Sequence, residues 1–206
     1  EAAELIFLRK YGASIATRAA SAADALAMIE KIAALAPTHT RRSEESQALQ
    51  QFSTPLPLGF VAAHALAVHP GELVLEPSAG VGLLAIHAER AGARLALNEL
   101  GETRADLLAR LFPDLAVTRE DAAQIDDRLD AGIVPSAVLM NPPFSALAHV
   151  ERTMKGVALR HIASALVRLA PGGRLVAIVG SSTSPEAPAW AATFARLQEH
   201  ARLLFS

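Results

Sequence analysis

The chain has 206 residues, 51% of them hydrophobic, with a formal net charge of −2 and no cysteine. That length holds one domain of ordinary size, or one domain with an appendage, and the composition excludes a disordered chain. The near-zero charge leaves no global basic field to draw nucleic acid, and the missing thiols exclude disulfides and thiolate metal sites and suit a reducing cytoplasm. No apolar run reaches the roughly 18–20 residues that span a membrane.

Residues 4–36 are rich in Ala, Leu and Ile and predict helix, divided at Gly12 and ended by Pro37. The polar stretch THTRRSEESQAL (residues 38–49) reads as a solvated linker; a sharper reading puts Arg41 and Arg42 on phosphate. Residues 1–49 thus form a helical extension and linker, and residues 50–206 the domain proper. The first residue is Glu1, with no signal peptide, and the last residues, ARLLFS, read like the start of a strand whose hairpin is cut short. Both ends are read as those of a fragment of something larger.

From residue 52 the pattern changes. Short apolar runs at 72–77, 93–100, 115–121, 136–141 and 174–180 predict five strands. Helical stretches at 79–92, 102–112, 156–170 and 187–201 alternate with them, and Trp190 and Phe194, four apart on the last, read as core. Strands apolar on both faces, alternating with helices, imply a mostly parallel, Rossmann-like doubly wound sheet. In such sheets ligands bind beyond the carboxyl ends of the strands.

The residues at those ends are therefore the ones to inspect. After the first strand comes EPSAGVG, an acidic Glu76 followed by Ser78, Ala79, Gly80 and Gly82. Glycines let the backbone approach a ligand, and the following helix offers N–H groups. The stretch supplies neither G-x-G-x-x-G nor a G-K-S/T, which argues against a dinucleotide fingerprint and a phosphate loop. After the second strand, Asn98 is followed by Glu99, about 20 residues past the glycines and placed to accept both hydroxyls of a ribose; the plainer reading is a glutamate capping the next helix. After the third, Asp121 and the Ala122 N–H could read a purine edge, or Asp121 could simply cap a turn.

The fourth strand ends in MNPPF. Asn141 brings one carbonyl acceptor and Pro142 a backbone carbonyl on a residue with no N–H. Two acceptors can converge on one NH₂ group while Phe144 offers a flat apolar face, and Pro142 and Pro143 fix the loop beforehand. Acceptors aimed at an aromatic amine favour its pyramidal, nucleophilic form in the transition state, with no strong base required. An ordinary turn accounts poorly for an amide and an aromatic ring bracketing two prolines.

Taken together, Gly-x-Gly after strand one, an acid after strand two, Asp after strand three and NPPF after strand four resemble the class I S-adenosylmethionine-dependent methyltransferases, and within them those acting on adenine N6. QQFSTPLPLGFVA (51–63) resembles the motif those enzymes carry before the fold, with Phe52, Thr54 and Pro55 covering the cofactor's methionine end. The resemblance covers about residues 50–206. More distantly, the chain is similar to the front domain of bacterial methyltransferase–helicase fusions with a strawberry-notch-like helicase. It implies a cofactor, S-adenosylmethionine, held by Glu76 at its amino group, the 78–82 loop at its methionine part, Asn98 and Glu99 at the ribose, and Asp121 with Ala122 at the adenine. It implies that Asn141 and Pro142 orient the target amine, that Phe144 stacks on the target base, and that a duplex base is flipped out. DNA is the implied partner, with RNA or a protein glutamine amide as alternatives, and a non-catalytic helicase-guiding module as another. No target-recognition domain is visible. Ser78 stands where a first glycine is common. The histidines at 64, 69, 87, 149, 161 and 200 lack ligand spacing, so no metal site is expected; Arg152, Lys155 and Arg160, after the NPPF loop, read as a solvated helix face, with a contact to phosphate as the sharper reading.

Overall fold

The computed structural model describes residues 2–35, 53–143, 156–181 and 183–205. Among them five strands, β1 (Leu73–Glu76), β2 (Arg94–Asn98), β3 (Val117–Thr118), β4 (Ala137–Met140) and β5 (Arg174–Ala177), pair in parallel in the order β3-β2-β1-β4-β5. This is the doubly wound, Rossmann-like sheet expected from the sequence, with β3 only two residues long. The order reverses between β1 and β4, and a crevice opens at such a switch point.

Both faces are covered because alternate residues of each strand point to opposite sides. Val74, Ala137 and Leu139 share one cluster with Ala62 and Leu66 of α3 (Leu56–Leu66) and Ala88 of α4 (Ala85–Arg90). Leu75, Val138 and Met140 share another with Ile125 of the short α6 (Ile125–Arg128) and Ala165 of α7 (Val157–Arg168). Helix α5 (Glu102–Leu111) links β2 to β3.

The N-terminal helices α1 (Ala2–Arg18) and α2 (Ala22–Ala33) fold onto this core. Leu5, Leu8 and Ile15 of α1 and Ala25 and Ile29 of α2 are buried with Ala79, Val81, Leu83 and Ile86 from the first strand–helix connection. The expected division at Gly12 does not occur there. Gly12 lies buried inside α1 with the Arg90 guanidinium seated against it, within 2.5 Å of where a Cβ would be, and tertiary packing of α1 outweighs glycine's poor helix propensity. The break falls at residues 19–21 instead, where the Ser21 side chain accepts from the Asp24 N–H and caps α2.

At the edge opposite the crevice, Arg174 ties three elements together. It pairs with Glu72 at 2.7 Å and donates to the Leu66 and Ala67 carbonyls at the end of α3, groups a helix end would otherwise leave unsatisfied. The last helix, α8 (Ala191–Gln198), buries no residue, so Trp190 and Phe194 are only half-buried and are not core.

Candidate functional site

Four strand ends and the residues ahead of α3 meet at one cleft. Thr54, Ser78–Gly80, Glu99, Asp121 with Ala122, and Asn141–Pro143 all line it. Residues separated by almost 90 positions in sequence converge because the parallel strands deliver their carboxyl ends to one side.

Glu99 is fixed before any ligand arrives. Its carboxylate is 5% exposed and accepts from the Gly80 N–H and the Gly101 N–H, each at 2.8 Å. The first bond ties the glycine loop to the end of β2, and the second holds Gly101, the residue that opens α5. A carboxylate has about four lone-pair positions, and these two backbone N–H groups fix its orientation at the cleft wall.

The glycine loop is shaped by backbone conformation and by packing. Gly80 and Gly82 have φ of +57° and +91°. At Gly82 an added Cβ would meet the Phe112 ring at 2.4 Å, so the loop can lie this close to α5 only without a side chain. Gly82 does not line the cleft: its place is under the loop.

Glu76, at the end of β1, is 2% exposed and does not line the cleft either. Its Oε2 is buried and has no hydrogen-bond partner among the described residues. Burial pushes its carboxyl well above the usual carboxylate range, with the Glu99 charge adding to the rise and a bond from the Ala85 N–H opposing it. A cation close by would relieve that cost.

Asn98 takes a structural place. Fully buried, it donates through Nδ2 to the Pro77 and Glu120 carbonyls and accepts at Oδ1 from Thr118 Oγ1 and the Glu120 N–H, all at 2.8 Å. That uses the whole capacity of an amide, and Asn98 does not line the cleft. It stitches the ends of β1, β2 and β3 together, which positions its neighbour Glu99. Pro55, also expected at the cofactor, is exposed and starts α3 outside the cleft wall. Asp121 lines the cleft and also caps the following 3-10 turn (Ala122–Gln124), accepting from the Ala123 N–H at 2.9 Å.

Asn141 sits in the wall with its amide oriented. Nδ2 donates to Thr54 Oγ1 at 3.0 Å, while Oδ1 is buried and has no partner among the described residues. Pro142 is buried and Pro143 half-buried beside it. Phe52 and Phe144 lie outside the described residues, as do Arg41, Arg42, Arg152 and Lys155.

Arg104, Leu100 and His161 line the same cleft and were not read from the sequence as site residues. Arg104 stands within the first turn of α5, immediately after the Glu99 strand end, and that proximity was a legible signal. His161 is 7% exposed on α7, on the same helical face as the buried Ala158, Ser164 and Ala165. Burial pushes its imidazole below the usual value; the Asp121 charge opposes this and Arg160 adds to it.

No protein-family model and no curated protein matches the chain. Solved structures do. PH1948 from Pyrococcus horikoshii, described as an RNA methyltransferase, superposes with a TM-score of 0.57 at 19% identity over 85% of this chain and 81% of its own. A chain from Vibrio vulnificus YJ016, described as a modification subunit of a type I restriction enzyme, gives 0.56 at 15% identity, covering 87% of this chain and 44% of that one. The SAM-dependent O-methyltransferase TM0748 from Thermotoga maritima gives 0.50 at 18% identity, covering 84% and 55%. The present chain therefore spans about half the length of the latter two. At these identities the likeness shows a shared fold, the Rossmann-like fold of methyltransferases. One is described by RNA, another as an O-methyltransferase, and a shared fold does not choose between acceptors, so the acceptor must be argued from residues.

Proposed function

We propose that the cleft binds S-adenosylmethionine and that the protein transfers a methyl group to an exocyclic amine, adenine N6 in DNA. The observation that carries this reading is Asn141: an amide held by Thr54 with its buried oxygen unpartnered, followed by two prolines, on the wall of a cleft that Glu99 also lines. A buried acceptor without a partner costs about 1–3 kcal/mol, and a substrate amine would satisfy it.

The residues present fit the cofactor. Among the described residues, two buried oxygens at these strand ends, on Glu76 and Asn141, lack partners. The Glu99 carboxylate, already fixed by two backbone N–H groups, would accept from the ribose hydroxyls. Asp121 would accept from the adenine amine, with the Ala122 N–H donating to a ring nitrogen. Glu76, whose buried Oε2 has no partner among the described residues, would accept from the ammonium of the methionine part. Bound there, S-adenosylmethionine supplies an electrophilic methyl group on a sulfonium.

The chain's own part in transfer is placement and electrostatics. Asn141 Oδ1 and the Pro142 carbonyl would accept both hydrogens of the target amine, turning its lone pair towards the methyl group. These acceptors favour the pyramidal amine as the new N–C bond forms, and they are fixed before the reaction begins. Phe144 would stack on the target base, extruded from a duplex at a cost of a few kcal/mol. A recognition domain and a helicase, linked or associated, would supply sequence choice and strand opening that this near-neutral chain does not.

RNA is the second reading. It is supported by the similarity to PH1948, described as an RNA methyltransferase. Incubation with labelled S-adenosylmethionine and DNA, RNA or glutamine-bearing protein separates the acceptors. Label on DNA, in N6-methyladenine after digestion and absent with Asn141→Ala, supports the first reading. Label on RNA alone, or on protein alone, contradicts it.

A further inference from the structure

Of the polar side chains that line the cleft, His161 has no place in the chemistry above. It is 7% exposed, and its Nδ1 has no hydrogen-bond partner among the described residues. A fold gains nothing from a buried, unsatisfied imidazole where leucine would pack.

The position is also rigid. One turn further along the same face of α7, Ser164 donates to Asp126 Oδ1 at 2.6 Å and accepts from the Asp126 N–H at 3.1 Å. That pair locks α7 to the segment 121–128, which opens with the cleft-lining Asp121, cap of the 3-10 turn, and Ala122. His161 and the Asp121 wall are thus held as one unit. Burial keeps the imidazole in its neutral form, which has one donor and one acceptor nitrogen.

Resting on the cofactor reading, we propose that His161 is a third base-side contact of this cleft, joining Asp121 and Ala122 in holding the purine of an S-adenosyl ligand through a ring nitrogen. It selects for a heteroaromatic base with hydrogen-bonding edges over a purely apolar group. His161 is a binding residue and takes no part in methyl transfer.

The test is calorimetric titration of S-adenosylhomocysteine into the full chain and into His161→Leu, His161→Asn and Glu99→Ala, with melting temperatures of the unliganded proteins. His161→Leu is expected to bind about tenfold more weakly, the worth of one hydrogen bond, and to melt no lower than wild type because an unsatisfied group has gone. His161→Asn, which keeps a polar group in that position, is expected to recover part of the affinity. Wild-type affinity in His161→Leu, with binding lost in Glu99→Ala, overturns the His161 role and leaves the cofactor reading standing. Weaker binding in His161→Leu and His161→Asn alike, with melting temperatures lowered in step, assigns His161 to packing and also overturns the role. No binding to the wild type overturns the cofactor reading and this inference with it.

Discussion

Replacing Gly82 by alanine separates the two demands that the glycine loop makes. Its φ of +91° disfavours any side chain, and the new Cβ would lie 2.4 Å from Phe112 Cε2 and 3.1 Å from Leu108 Cδ1. The left-handed backbone costs roughly 1–2 kcal/mol, and overpacking a ring held by α5 adds about 1–3 kcal/mol, so Gly82→Ala is expected to lose about 2–5 kcal/mol. Gly80→Ala is the control. It shares the positive φ, at +57°, but its Cβ would meet only Arg104 Nη1, at an ordinary 3.6 Å. It is expected to lose only the conformational part, about 1–2 kcal/mol. Urea unfolding measures both, and Phe112→Leu in the Gly82→Ala background is expected to recover part of the loss. Equal small losses at the two glycines, or no recovery in the double variant, would refute the packing explanation.

Asn141→Ala is expected to lower kcat about 10²–10³-fold, as loss of one preorganised transition-state contact does, with cofactor affinity unchanged; single-turnover methylation and calorimetry check the two halves. Arg174→Ala breaks the pair with Glu72 and uncaps α3, and denaturant unfolding is expected to show a loss of about 1–3 kcal/mol. Burial first, and then the Arg90 charge, lowers the pKa of His87 from 6.5 to about 4. The unfolded chain takes up that proton near pH 6.5 while the folded chain resists it until about 4, so stability falls as pH drops through this window. At about 1.4 kcal/mol per pH unit the full loss is on the order of 3 kcal/mol. Unfolding at pH 7 and pH 4.5, with His87→Leu showing a flatter dependence, checks it.

The sheet was legible because its strands are apolar on both faces and end at turn residues, a pattern that depends on few distant contacts. The division of the first helical stretch was not. Gly12 looks like a breaker locally, but Leu5, Leu8 and Ile15 of the same helix pack on the core on either side of it, and those are tertiary contacts that no local pattern shows. Glu99 and Asn141 stand directly at strand ends, so topology alone delivers them to the cleft. Asn98 occupies an equally suggestive position, but its amide is consumed by Pro77, Thr118 and Glu120, partners some 20 residues away that no local pattern shows. Glu76, at the end of β1, and Gly82, in the loop after it, are buried behind the residues that line the cleft, a depth that the sequence does not show. His161 escaped notice because its place in the wall depends on how α7 docks on residues 122–128. Spacing on a helix gives the face and leaves open what that face meets.

The most direct measurement is calorimetric titration of S-adenosylmethionine into the full chain, beside Glu99→Ala. Saturable binding is expected in the wild type, weakened in the variant by roughly 1.5–3 kcal/mol, the scale of a charge-assisted hydrogen bond. A wild type that takes up no S-adenosylmethionine, or a variant that binds it equally well, would contradict a cofactor site at these strand ends.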